Sequence, residues 1–134
     1  MMNLKEYFEK TTGTGILATS DSGGNVDVAV YSRPHVNDDG TIMFVMADRL
    51  SHSNIQSNPK AAFLFREDGG GYRGTRLYLE KLKEEKNSPL IEQLRTKKHG
   101  KQDDASPKDR FLVYFKVTRV RPLTGDGEKG QVES

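Results

Sequence analysis

The chain of 134 residues contains no cysteine. Disulfides, thiolate metal ligands, iron–sulfur ligation and a cysteine nucleophile are therefore excluded. Nowhere do about 18 apolar residues run together, which excludes an ordinary membrane-spanning helix. The opening MMNLKEYFEK has no apolar stretch of the secretory kind, so a cytoplasmic location is the expectation. An excess of one charge is missing too: 21 Lys and Arg against 19 Asp and Glu leave a formal +2. So balanced a chain lacks the cationic field on which bulk nucleic-acid binding depends. Hydrophobic residues make up 34% and the mean hydropathy is −0.74, which fits one compact domain with a polar exterior.

What is present reads mostly as strands. Asn3 caps a first helix reaching about residue 11, with Leu4, Tyr7 and Phe8 on one face and Glu6 three residues after the cap. The turn at 21–25 separates Ile16 to Thr19 from the alternating Val26, Val28 and Val30, a hairpin signal. A second turn at 37–40 joins that strand to residues 41–47, so three successive strands are expected to form a meander. Residues 61–65 form a fourth strand, and three glycines at 69–71 open a loop. Residues 75–85 mix helix and strand preferences and are read as a long, charged strand. Ser88-Pro89 starts a second helix that carries Leu90, Ile91 and Leu94 toward the sheet. A polar segment at 97–108 is expected to be mobile, and 110–120 alternates as the last strand around Phe111, Val113, Phe115 and Val117. The expected fold is mainly β (α+β): a six-stranded antiparallel barrel with short flanking helices over residues 1–120, followed by a disordered tail at 121–134.

The chemistry concentrates in residues 41–65, where an apolar strand meets a polar elbow, a short helix, Asn58-Pro59 and another apolar strand. Ser51 or Ser53 is placed to cap the helix, beside backbone N–H groups that the helix leaves unsatisfied, and Arg49 and His52 add donors. The alternative is a capped connecting helix that binds nothing. If residues 32–35 converge on 48–52, Arg33 and Arg49 can hold a phosphate, with Ser51 and the helix N-terminus completing the cradle; otherwise they are a solvated pair. His35 and His52 have no companions at metal-ligand spacing and read as surface histidines, so no metal is expected. Asp38 and Asp39 are turn residues rather than paired acids. The glycine loop lacks the spacing of a nucleotide-binding fingerprint, and Lys81, Lys83, Glu84, Glu85 and Lys86 read as a solvated strand edge.

The ordered pieces GILATSDSGGNVDVAVYSRP, GTIMFVMADRLSHSNIQSNPKAAFLF and GYRGTRLYLEKL resemble the pyridoxamine 5′-phosphate oxidase-like FMN-binding split barrels over roughly residues 4–120. The resemblance rests on a strand ending in basic Arg33, a second strand, the elbow from Arg49 to Ser53, then Asn54-Ile55 and Asn58-Pro59. It implies a homodimer with FMN near the interface, serving a flavin-dependent oxidoreductase whose small-molecule substrate is unidentified. By the same resemblance Val30, Tyr31 and Ser32 offer backbone contacts and Arg33 a polar contact to flavin or phosphate. Met46, Ala47, Arg49, Leu50 and Ser51 form the flavin edge and phosphate elbow, with His52 and Asn54 beside them, and Arg76 reaches the other subunit's flavin. Ser51 stands where many relatives carry a phosphate-binding Lys, and Val28 where true oxidases carry an Arg. The C-terminal part also lacks their Trp- and Arg-containing ending, so vitamin B6 synthesis is not expected. F420 or heme are alternative ligands of such a barrel. A nucleic-acid-binding barrel without cofactor, using Tyr31, Tyr72 and Arg73 for stacking and phosphate contacts, is the alternative from another class.

Overall fold

The computed structural model describes residues 3–99 and 109–125. In chain order the elements are α1 (Leu4–Lys10), β1 (Gly13–Ser20), β2 (Val26–Tyr31), β3 (His35–Val36), β4 (Ile42–Ala47), α2 (Leu50–Ser57), β5 (Lys60–Glu67), β6 (Gly74–Lys86), α3 (Leu90–His99) and β7 (Arg110–Pro122). The strands form one antiparallel sheet in the order β2-β1-β5-β6-β7-β4-β3. Local signals act as the sequence suggests at several points. The Asn3 side chain accepts from the Glu6 N–H at 3.0 Å, and the Ser88 hydroxyl accepts from the Leu90 N–H at 3.2 Å. The 69–71 glycines all adopt positive φ in the β5–β6 hairpin.

The described strands number seven, not six, and the expected meander is absent. β2 pairs only with β1, while the chain leaves that edge at Ser32-Arg33-Pro34 and forms the two-residue β3 against β4 at the opposite edge. Pro34 explains the break, because it has no N–H to give a ladder and restricts the residue before it. The two terminal strands are therefore consecutive in sequence. The two ends of the sheet also approach each other in space: Tyr31 of β2 and Phe44 of β4, the strand next to β3, meet edge to face, ring centroids 5.7 Å apart. The sheet thus curls almost upon itself without hydrogen-bonding shut, giving a split barrel.

Phe44, Phe63, Phe65 and Phe115 fill the interior with Leu17, Met46, Leu77 and Val113, and α1 plugs one end with Leu4 and Phe8. Burying each such side chain is worth about 1.5–3 kcal/mol. Gly15 is required by this packing, since a Cβ there would lie 2.4 Å from the Phe63 ring and 2.5 Å from the Tyr31 carbonyl oxygen. A second cluster of Met43, Ile91 and Leu112 docks α3 on the outside of β4 and β7.

β6 lies between β5 and β7 as far as Glu80, beyond which Lys81 to Lys86 pair with β7 alone and form a strand edge. At the other end β7 runs to Pro122, and Leu123 is buried, so the ordered chain passes the boundary expected at residue 120. The remainder of the expected tail, 126–134, and most of the 97–108 segment lie outside the described residues.

Candidate functional site

Where the curled sheet fails to close, a cavity of about 650 Å³ opens between the end of β2, the Ser32–Pro34 link, β4, the start of α2 and the start of β7. Val30 and Tyr31 come from β2, Ser32 and Arg33 from the link, Ala47 from β4, and Arg49, Leu50 and Ser51 from the elbow. The convergence of residues 32–35 with the elbow is thus real. It arises from barrel curvature, not from a shared hairpin.

The other four residues of the expected site lie elsewhere. Met46 points into the core and is fully buried. Asn54 is buried behind the elbow, where its amide donates to the Thr19 hydroxyl at 3.0 Å. His52 is buried as well, correcting its reading as a surface histidine. Its ring stacks on Phe111 with centroids 3.7 Å apart, and its Nε2 lies 3.0 Å from the Glu84 carboxylate. Arg76 donates from Nε to the Pro122 carbonyl at 2.8 Å and from its terminal nitrogen to the Gly125 carbonyl.

These contacts make α2 a clamped helix. Burial alone would raise the Glu84 pKa, but hydrogen bonds from Lys81, Gln56 and His52 outweigh it and hold the carboxyl down at about 2. The N-terminal end is different. Its cap is Arg49 in extended backbone, with no side-chain cap bond, so the expected Ser51 or Ser53 cap is not formed. Ser51 lies buried within the first turn and shares the cavity wall with Tyr31. Burial raises the Tyr31 pKa, and the neighbouring Asp27 adds to that against opposing effects of Ser51 and Arg49. The phenol therefore stays protonated. The first bond of the helix is from the Ser53 N–H to the Arg49 carbonyl, leaving the preceding amides outside the intrahelical ladder beside the cavity.

The cavity has a sign. Arg33, Arg49 and Arg110 line it against one carboxylate, Asp27, with His35 as a further basic group. The Arg33 guanidinium is fixed by donating to the carbonyls of Phe8 and Thr11 at 2.8 and 2.9 Å. Met43, Phe44, Val45 and Leu94 supply apolar wall. Arg110 and this wall were missed from sequence. Arg110 stands opposite Ala47 in the β4–β7 pairing, a contact that no local pattern announces.

No protein-family model and no curated protein matches the chain. Solved structures do match in fold. An FMN-binding protein from Syntrophomonas wolfei aligns with a TM-score of 0.71 at 18% identity, covering 92% of this chain and 86% of that one. An F420 reductase aligns at 0.68 and 17%, covering 86% and 94%. A putative pyridoxamine 5′-phosphate oxidase from Lactobacillus delbrueckii aligns at 0.64 and 17%, covering 90% and 92%. The chain shares the fold of these proteins, a split barrel. No helix among the described residues is long and apolar enough to cross a membrane.

Proposed function

We propose that the chain binds FMN in the 650 Å³ cavity, as a homodimer, and serves as a flavin-dependent oxidoreductase for a small molecule. The observation that supports this reading is a partly apolar cavity lined both by three arginines and by the start of α2, which has no side-chain cap. The volume falls in the range of about 300–1,000 Å³ usual for small-molecule sites. Arg49, Arg110, Ser51 and the first amides of α2 would hold the phosphate. Val30, Tyr31, Ser32, Arg33 and Ala47 would border the ring system. When bound, the flavin supplies hydride or electron transfer; the chain binds it, orients it and keeps water from it.

Magnitudes favour a ligand with both a phosphate and a broad ring. A helix N-terminus contributes about 0.3–2 kcal/mol to an anion, whereas micromolar affinity needs roughly 8 kcal/mol. Burying about 150–250 Å² of aromatic surface adds about 4–6 kcal/mol before association costs. Phosphate contacts alone fall short.

The homodimer draws support from the outer face of the sheet. Val26, Val28 and Val30 are 82%, 66% and 76% exposed, a stripe that soluble proteins seldom leave uncovered. Cross-strand pairing extends it from Val30 through Ile16 and Leu64 to Arg76 and Arg121. Val30 and the exposed Leu50 also border the cavity, so a second copy on this face would help close it, with Arg76 on the covered surface.

F420 is the second reading, favoured by the structural likeness to an F420 reductase. Titrating the protein with FMN, riboflavin and F420, followed by ligand fluorescence, separates the cases. FMN is expected to bind roughly tenfold or more tighter than riboflavin, the effect of one phosphate cradle worth about 1.4 kcal/mol. Equal FMN and riboflavin affinities would remove the phosphate assignment, and tight F420 with weak FMN would favour the second reading. Retention on single-stranded nucleic acid without any cofactor binding would favour the nucleic-acid barrel instead.

A further inference from the structure

Among the described residues, Asn87 is the only one other than glycine with a positive φ, at 53°. It follows β6, whose last pair with β7 joins Lys86 to Phe111. The next pair would join Asn87 to Arg110, the first residue of β7, and it is closed in an unusual way. The Asn87 N–H donates to the Arg110 carbonyl at 2.7 Å, as in an antiparallel ladder. The return bond comes from the side chain, since the Asn87 Oδ1 accepts from the Arg110 N–H at 2.9 Å. The side-chain amide thus replaces the backbone carbonyl in the pair, and the chain can leave β6 for α3 while β7 keeps its register. We propose that Asn87 is a positioning residue for Arg110: it fixes the start of β7, hence the point from which Arg110 enters the cavity, and through Arg110 it sets the preference for a phosphorylated ligand. The ligand preference rests on the phosphate assignment above; the fixing of Arg110 does not.

The place of Arg110 explains why such a support matters. The first residue of a strand is where pairing opens most easily, yet Arg110 lines the cavity beside Ala47, its partner in β4. Asn87 closes the side away from β4. Its Nδ2 also donates to the Asp109 carboxylate at 2.9 Å, which lies 3.2 Å from the Lys86 ammonium. The bond from Asn87 is the largest of the effects that hold the Asp109 carboxyl below its ordinary range. The Asp109 carbonyl in turn accepts from the Arg110 guanidinium at 3.3 Å. One side chain therefore holds the backbone of Arg110 and also the residue whose carbonyl its guanidinium meets. The residue type fits both tasks. Glycine and asparagine tolerate the left-handed conformation, and of the two only asparagine brings an acceptor for the Arg110 N–H and a donor for Asp109. A chain that needed only a turn here would be served by glycine.

Asn87→Gly separates these roles, because it suits the conformation and removes the side-chain bonds. In the isotope-labelled, ligand-free chain, the heteronuclear NOEs of the Arg110 amide and Nε–Hε are expected to fall in this variant. They are expected to stay unchanged in Ser88→Ala, which removes the neighbouring cap bond to Leu90 instead. In titrations, the preference for FMN over riboflavin is expected to drop by about threefold or more in Asn87→Gly, with riboflavin affinity unchanged. In an Arg110→Ala background the same substitution is expected to change nothing further. Unchanged Arg110 NOEs in Asn87→Gly would overturn the positioning. An unchanged FMN preference, or an equal loss of FMN affinity with and without the Arg110 side chain, would overturn the route through Arg110 to the ligand. Failure of the flavin reading shows separately, as equal FMN and riboflavin affinities in the unsubstituted chain, and the NOEs then decide the positioning by themselves.

Discussion

The two sides of α2 make opposite use of polar residues. On one side Arg49, Leu50 and Ser51 face a cavity, at a helix start with no side-chain cap. On the other, His52, Asn54 and Gln56 are spent on the protein itself, through Phe111, Thr19 and Glu84. Neighbours in sequence thus have different surroundings. Open polar groups on a clamped helix are what a preorganised ligand cradle requires, because the donors need not be gathered when the ligand arrives. The clamp carries stability, and the open side is available for recognition.

This division is sharpest under substitution. His52→Ala removes a buried ring stacked on Phe111 and a bond to Glu84, and should cost about 2–4 kcal/mol in urea denaturation. A loss below about 0.5 kcal/mol, the range of ordinary surface changes, would mean the clamp is ornamental. Acid should act on the same place. The Glu84 pKa falls from 4.5 to about 2 on folding, and its side chain is only 22% exposed. A depressed folded value stabilises above the unfolded pKa and is lost as pH falls through the folded one. The contribution should therefore be present above pH 4.5 and vanish toward pH 2. Denaturation across that window should show Glu84→Gln with a flatter pH dependence than the wild type; parallel curves would contradict the assignment.

The open side should respond in the reverse manner. Arg49→Ala is expected to leave stability within about 0.5 kcal/mol while weakening FMN by roughly 10- to 100-fold, as loss of a charge-assisted bond of about 1.5–3 kcal/mol implies. Arg110→Ala should behave alike toward FMN. Unchanged affinity in both variants would reject their place in the cradle.

Legibility in the sequence followed the range of the interactions. The Asn3 cap, the 37–40 turn and the 69–71 glycine loop are written in a few adjacent residues, and each appears where expected. Strand partnership is different. The alternation of Val26, Val28 and Val30 says that a strand exists but not that its chain crosses to the far edge of the sheet after Pro34. Arg110 enters the site only because β7 lies against β4, and His52 is buried only because Phe111 and Glu84 come to it from β7 and β6. The elbow was recognisable as a cluster of polar residues, yet which of them face the cavity depends on helix phase and on partners distant in sequence. Arg33 shows both sides: its place at the end of a strand was legible, its bonds to the carbonyls of Phe8 and Thr11 were not.

Sedimentation velocity of the FMN-saturated protein, followed at once in the protein band and in the visible flavin band, tests the central claim most directly. One boundary with the mass of two chains, carrying one flavin per chain, is the expected result. Flavin absorbance left behind the protein boundary would contradict it.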